Sequence, residues 1–327
     1  LFQRVYDKTY ISMIRRAPAF MGVLYERTDR PWPHLRRRRA RDRLNTGPMM
    51  RLLKRVQPDL CAAAHFLPAE IIAWLIARNK LRAHNATMMS TPCGSCRTVD
   101  RYYLGNEEAA PYLAHIAVPR EKWRGTGIPI DPLLAVPLPR AQARKTLGLD
   151  PDATIILISA GGYGIGPVEQ LVKELLELRR PWQIVAIAGK EEKTRKRLEE
   201  LAKAAGRFPS GASRLCPVGF TAEMDKYMAA ADLLVGKAGG LATSEALSRA
   251  LPMALIEPIP GQEERHADPL LEAGAAIRCN NLPAAPWKIA TLLDDPARLQ
   301  QMRERRGSPG RPAAAAAIAE DALRLVD

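Results

Sequence analysis

Cysteine, acidic residues and long apolar runs are all scarce in this chain. Five cysteines in 327 residues cannot make a disulfide scaffold, and that usage fits a reduced, intracellular compartment. The best apolar run, Ile71 to Ala77, falls far short of the ~18–20 residues a spanning helix needs, so no bilayer crossing is expected. Asp and Glu number 35 against 49 Lys and Arg, a net +14 that favours a polyanionic partner such as an anionic membrane surface or a nucleic acid. No pattern of n-region, h-region and cleavage site marks the chain for export, and its opening at Leu1 without an initiator Met fits a fragment.

What is present is globular. With 47% hydrophobic and 26% charged residues, disorder and collagen are excluded, and a core of this chain length has usually split in two. The excess charge is concentrated at the start: residues 1–60 hold fifteen Lys or Arg and five Asp or Glu, so 15 − 5 = +10 of the +14 lies there. In that stretch Phe20, Met21, Val23, Leu24 and Tyr25 lie near Trp32 and the run Arg36, Arg37, Arg38, Arg39. Apolar side chains entering the headgroup boundary beside cations suit an anionic membrane face, and a solvated basic helix beside a core cluster accounts for the same letters. Pro18, Pro31 and Pro33 break any long helix here. Nucleic acid is not expected as the partner, because no recognition motif accompanies the charge.

Periodicity gives an α/β protein. A helix is predicted over 47–56, a strand over 59–64, a helix over 69–78 and a strand over 99–104. A connector rich in proline (Pro129, Pro132, Pro137, Pro139) follows. The boundaries expected are 1–130 for a first, incomplete, acceptor- or membrane-facing domain, 131–308 for a second, nucleotide-sugar-binding one, and 309–327 for a terminal helix. In the second domain, strand, loop and helix recur in the order of a doubly wound parallel sheet, from the β-branched run Thr154 to Ser159 onward.

Two Gly-rich loops follow predicted strands, where backbone N–H groups and helix N-termini can meet a phosphate. Gly161-Gly162-Tyr163-Gly164-Ile165-Gly166 is spaced GGxGxG and not GxGxxG, and as a lone loop it reads equally as a tight strand-to-helix turn. Gly239-Gly240-Leu241-Ala242-Thr243-Ser244-Glu245 opens a helix with hydroxyls and a carboxylate expected to cap its first turn, and Glu245 could also accept the two hydroxyls of a ribose. Pro258 to Arg265 is a proline-pinned turn whose Gln262 and Glu263 offer groups for vicinal hydroxyls, or begin a helix with acidic residues.

Together, Gly161 to Pro167, Val218-Gly219-Phe220-Thr221 with Met224, Ala229 to Leu233, Gly236 to Leu247 and Pro258 to Arg265 resemble monogalactosyldiacylglycerol synthases and processive diacylglycerol glucosyltransferases, relatives of the lipid-intermediate N-acetylglucosaminyltransferase of peptidoglycan synthesis. The match is dense from about Pro129 to Cys279. The resemblance implies a GT-B fold of two Rossmann-like domains facing across a cleft, the first one truncated, and inverting, metal-independent transfer of a hexose from UDP to a membrane diacylglycerol. It implies Val218, Gly219, Phe220 and Met224 at the uracil and Glu245 at the ribose, with Thr243 beside it. Gly161, Gly162, Gly239 and Gly240 would meet the diphosphate, and Gln262 and Glu263 the hexose. Trp32 and Arg36 to Arg39 would face the membrane, with the protein peripheral on its cytoplasmic side. No metal and no resident cofactor are expected, the UDP-hexose being a co-substrate.

The pattern fails in two places. The family's opening Gly-rich loop with a His has no counterpart here, and Thr87 to Thr98 replace an expected Thr-Asp, His and Trp stretch, so no catalytic base is visible. One choice of codons for Ala86 to Thr98, read two nucleotides on, gives Asp-His-Asp-Val-Asp-Ala-Leu-Trp-Val-Val-Pro-His, which predicts a compensated frameshift; a clean resequencing read in the present frame overturns it. Binding of UDP with poor sugar transfer is expected of this chain. Cys93-x-x-Cys96 lacks two further ligands for a structural zinc site. Two readings of other classes stay open: a dehydrogenase using the Gly161 loop with Glu191 at the ribose, and a basic membrane-surface binder with a degenerate nucleotide fold.

Overall fold

The computed structural model describes residues 46–89, 99–159, 161, 167–256, 262–305 and 311–326. Trp32, Arg36 to Arg39, Gly162 and the Cys93-x-x-Cys96 pair lie outside them. The described residues group into two compact units, one holding those up to Pro129 with Gln262 and those from Ala313, the other holding Ile130 to Ile256 and Glu263 to Pro312.

The first unit is a parallel sheet with helices α1 (Gly47–Val56), α2 (Phe66–Ile76) and α3 (Ala109–His115). Its strands run in the order β1 (Leu60–Ala63), β2 (His84–Met89), β3 (Arg101–Leu104) and β4 (Trp123–Gly125). Strand β2 has no sequence signal, because Thr87 is the only β-branched residue in His-Asn-Ala-Thr-Met-Met. Tertiary bonds hold it instead. The buried Asn85 amide donates to the Ala69 carbonyl at 3.0 Å, and the Thr87 hydroxyl donates to the Ala63 carbonyl at 3.2 Å. Leu75, Tyr102, Leu104 and Leu113 fill the interior.

The second unit is a six-stranded, wholly parallel sheet. After α4 (Arg140–Leu147) come β5 (Thr154–Ser159), α5 (Val168–Glu177), β6 (Trp182–Ile187), α6 (Glu192–Ala205), β7 (Leu215–Val218), α7 (Met224–Ala230) and β8 (Leu233–Gly236). Helix α8 (Gly240–Ser248), β9 (Met253–Leu255), α9 (Gln262–Glu272), β10 (Ala276–Arg278), α10 (Ala285–Leu293) and α11 (Pro296–Glu304) complete it. The spatial order β10-β9-β8-β5-β6-β7 makes β5 and β8 the pair at which the winding reverses.

Both faces of this sheet are covered, which is why β5 reads as an unbroken apolar run. Ile156 and Ile158 pack to one side with Leu171, Ile184 and Val235, whereas Ile155 and Leu157 pack to the other with Val185, Leu234 and Leu247. Each such side chain, fully buried, contributes about 1.5–3 kcal/mol. At the amino end of β8 the Asp232 carboxylate ties α4 to the sheet: it accepts from Arg144 at 2.8 Å, from Arg140 at 2.6 Å and from the Ile155 amide at 2.9 Å.

The last helix, α12 (Ala314–Leu323), does not stand apart as a separate terminal element. It packs with the first unit through Ile318 and Ala322 against Leu60, Ala86 and Tyr103. Its Asp321 carboxylate takes a hydrogen bond from the Tyr103 hydroxyl at 3.1 Å and an ion pair from Arg101 at 2.9 Å. Burial and the Asp321 charge hold the Tyr103 phenol well above its ordinary value.

Candidate functional site

The carboxyl ends of β5 and β8 meet at the reversal of the sheet, the place where a doubly wound domain presents loops to a ligand. Ser159 and Gly236 are register partners there, and a Cβ at Gly236 would lie 3.0 Å from the Ser159 carbonyl, so only glycine lets the two strands close up. Beyond β5, Gly161 turns with φ +69 and its amide donates to the Ser159 hydroxyl at 3.3 Å. Beyond β8, Gly239 is the N-cap of α8 and no side chain caps this helix. Its first-turn N–H groups and its positive end therefore face the same strand tips as the Gly161 turn.

That corrects the expected capping. Helix α8 begins at Gly240, ahead of both hydroxyls, because glycines at its mouth are compatible with helical backbone once the strand delivers them. Thr243 and Ser244 thus fall in the second turn, where both are buried. The Thr243 hydroxyl donates back to the Gly239 carbonyl at 3.0 Å and caps no N–H group.

Glu245 lies half-buried in the second turn of α8. Among the described residues its carboxylate has no hydrogen-bond donor, and the one charge acting on it is that of Asp131. Burial, then the Asp131 charge, push the Glu245 carboxyl up to about 6. The connector fixes Asp131 in place: its carboxylate accepts from the Leu133 amide at 2.9 Å, and Arg249, at the end of α8, donates to the Val136 carbonyl at 2.7 Å and the Leu133 carbonyl at 3.0 Å. Sequence patterning gave no sign of Asp131 because it lies in a proline-rich linker.

At the tip of β7 stand Val218, Gly219 and Phe220, with Met224 opening α7. Val218 and Met224 lean on the core cluster, whereas Phe220 is 66% exposed with the Lys190 ammonium 5.1 Å from its ring centre. Lys190 was not singled out from sequence; its signal is its place directly after β6 and the Gly189 turn. Gln262 is the first residue of α9, Glu263 is half-buried in its first turn and His266 is buried one turn on.

The arrangement suits a uridine diphosphate in its parts: a flat exposed ring, a carboxylate without a donor, and backbone N–H groups at a helix start. Among the described residues no group of three His, Cys, Asp or Glu could hold a metal ion. The chain's one Asp-x-Asp spacing, Asp150-Pro151-Asp152, is structural and precedes β5, at the opposite end of that strand. Asp150 there accepts from the Ser210 hydroxyl, which more than any other contact holds its carboxyl below the usual range, and from the Ala153 and Asp152 amides.

Comparison with known proteins gives the fold and the relatives. The Glycosyltransferase family 28 C-terminal domain matches residues 157–317. The solved structure of Acinetobacter baumannii MurG superposes with TM-score 0.60 at 16% identity, covering 85% of this chain and 77% of that one. Staphylococcus aureus MnaA, solved with UDP, superposes with TM-score 0.62 at 14% identity, covering 85% and 79%. The fold is GT-B.

The resemblance drawn from the motifs is borne out. The processive diacylglycerol beta-glucosyltransferase of Staphylococcus saprophyticus is 29% identical over 289 residues, 85% of this chain and 70% of that protein. A protein of the same name from Bacillus pumilus is 28% identical, and the chain spans only 58% of its length. Nothing in these comparisons favours a dehydrogenase.

Proposed function

We propose that this chain handles a UDP-hexose and passes the hexose to a diacylglycerol-type lipid, inverting the anomeric centre in one displacement. The observation that carries the donor half is the convergence at the β5–β8 reversal of the Gly161 turn, the uncapped start of α8 and the donor-free Glu245 carboxylate. Gly161, Gly162, Gly239 and Gly240 let backbone N–H groups at the strand tips and the start of α8 reach the diphosphate, Glu245 accepts the ribose hydroxyls, and Phe220 with Val218, Gly219 and Met224 borders the base. Gln262 and Glu263 address the hexose. Thr243 supports this site through its bond to Gly239.

Chemically, the leaving group is a nucleoside diphosphate, and preorganised N–H groups with a helix dipole stabilise the charge that develops on it. A hydroxyl nucleophile also needs a proton acceptor within about 2.6–3.2 Å. No residue described here is assigned that role. The reading therefore expects UDP binding to outlast transfer in this chain.

The acceptor half rests on the lipid in the relatives' names and on α1. That helix carries Arg51, Lys54 and Arg55 together with Leu52 and Val56, which stay 48% and 59% exposed. Such a face suits an anionic bilayer surface, which supports the reading of a peripheral protein on the cytoplasmic side. No helix among the described residues is long and apolar enough to cross a membrane.

Titration calorimetry with UDP and with NADH tests the donor reading. Saturable UDP binding without NADH binding is expected, and the reverse overturns it. Incubation with UDP-glucose or UDP-galactose and diacylglycerol vesicles then reads transfer and the sugar preferred.

A further inference from the structure

The amino end of β8 carries more positive charge than its structural task uses. Three guanidinium groups, Arg140 and Arg144 from α4 and Arg303 from the last turn of α11, converge on the single carboxylate of Asp232. Arg144 is spent: it donates to the Ala230 carbonyl at 3.1 Å, the Pro151 carbonyl at 2.6 Å and Asp232 at 2.8 Å. Asp232 is spent too, since its oxygens already accept from Arg140, Arg144 and the Ile155 amide.

Arg140 and Arg303 are not. Arg140 uses one nitrogen on Asp232 and its side chain is 44% exposed. Arg303, only 24% exposed, comes no nearer than 3.6 Å to Asp232, beyond hydrogen-bond distance, and among the described residues its guanidinium makes no hydrogen bond. The other acid on that helix turn, Glu304, takes a bond from Gln300 at 2.8 Å. A guanidinium has five donors in a planar fork, and a three-quarters-buried one with none engaged is poorly satisfied. Burial and the facing Arg140 charge hold Arg303 below its ordinary value, with Asp232 only partly opposing them.

We propose that Arg140 and Arg303 together bind a phosphate-class oxyanion at the amino end of β8, a site separate from the nucleotide-sugar site at the carboxyl end of the same strand. A tetrahedral dianion can accept from both forks at once and offsets the surplus of two positive charges left by three arginines on one aspartate. The chemistry is met equally by free phosphate and by a phosphomonoester.

The test is thermal denaturation of the full chain saturated with UDP, so that the donor site is filled. Inorganic phosphate, glycerol 3-phosphate and ionic-strength-matched chloride are titrated separately. A saturable rise in Tm with either phosphate and not with chloride is expected. Arg303→Gln, which removes no hydrogen bond of the fold, should weaken the response at least about tenfold, the worth of one charge-assisted contact. UDP binding by calorimetry should stay unchanged in that variant. A larger response to glycerol 3-phosphate assigns the ester, and an equal or smaller one assigns the free ion. No response beyond chloride, or a response that survives in both Arg303→Gln and Arg140→Gln, overturns the proposal and leaves the donor site untouched.

Discussion

Glu245 gives the sharpest handle at the scale of single residues. Its carboxyl is raised from 4.5 to about 6, so between those values the folded protein holds a proton that the unfolded chain has released. Stability contributed by this group is therefore full below about 4.5 and is lost as pH rises through about 6. Ribose binding has the opposite sign, because two hydroxyls need an ionised acceptor, so UDP affinity should climb through about pH 6. Glu245→Gln should flatten both slopes. Glu245→Ala should lower UDP affinity about tenfold to a hundredfold, the worth of hydrogen bonds to a charged group, with Tm at neutral pH unchanged or raised. Calorimetry and melting curves from about pH 4 to pH 8 read both.

Gly236 is the second such residue. A methyl group there meets the Ser159 carbonyl at 3.0 Å, and backbone cannot yield as a side-chain tip does. Gly236→Ala should cost about 1–3 kcal/mol in denaturant unfolding and weaken UDP by prising β5 from β8. A substitution without effect on either would mean that the strand tips are not what positions the two loops.

At the scale of elements, α12 and α1 are the informative ones. Asp321 on α12 is 19% exposed and receives Arg101, 14% exposed, and the Tyr103 hydroxyl. Asp321→Ala leaves the Tyr103 hydroxyl without its acceptor and Arg101 with the Glu121 carbonyl but no counter-charge, so a loss of about 2–3 kcal/mol is expected. Hydrogen exchange should locate it in β3, with UDP calorimetry unaltered because the residues assigned to the uridine diphosphate belong to the other unit. For α1, replacing Leu52 and Val56 by Asp should reduce sedimentation with anionic vesicles and leave neutral vesicles unaffected. Changing Arg51 or Arg55 to Gln should lower partitioning about fivefold each, following about 1 kcal/mol per cation, with the effect fading in high salt.

Across the whole molecule, how much could be read in advance depended on how each part is held. The second unit was legible because its strands are buried on both faces: Ile155 to Ile158 are all fully buried, and such strands must be written as apolar runs closed by glycine. The loops at their tips could be placed for the same reason, down to Gly161, Gly239 and Gly240. The first unit was not legible in β2, where Asn85 and Thr87 are held by bonds to distant carbonyls that local propensity does not register. Nor could sequence place Asp131 beside Glu245, since the turn and the Arg249 bonds that do so join segments more than a hundred positions apart. The hydroxyl of Thr243 does not cap the helix as expected, because the helix starts at Gly240, where glycine propensity gives no sign of it.

The return of α12 to the first unit also sets an order of assembly. Tyr103, Leu60 and Ala86 leave the ribosome well before the residues that cover them, Ile318, Asp321 and Ala322, which lie more than two hundred positions further along the chain. At about 5–20 residues per second, the nascent first unit waits some ten seconds or more with that face uncovered. The first unit thus stays open until the second has been made and α12 arrives, and it is there that a chaperone holding the growing polypeptide would find its grip.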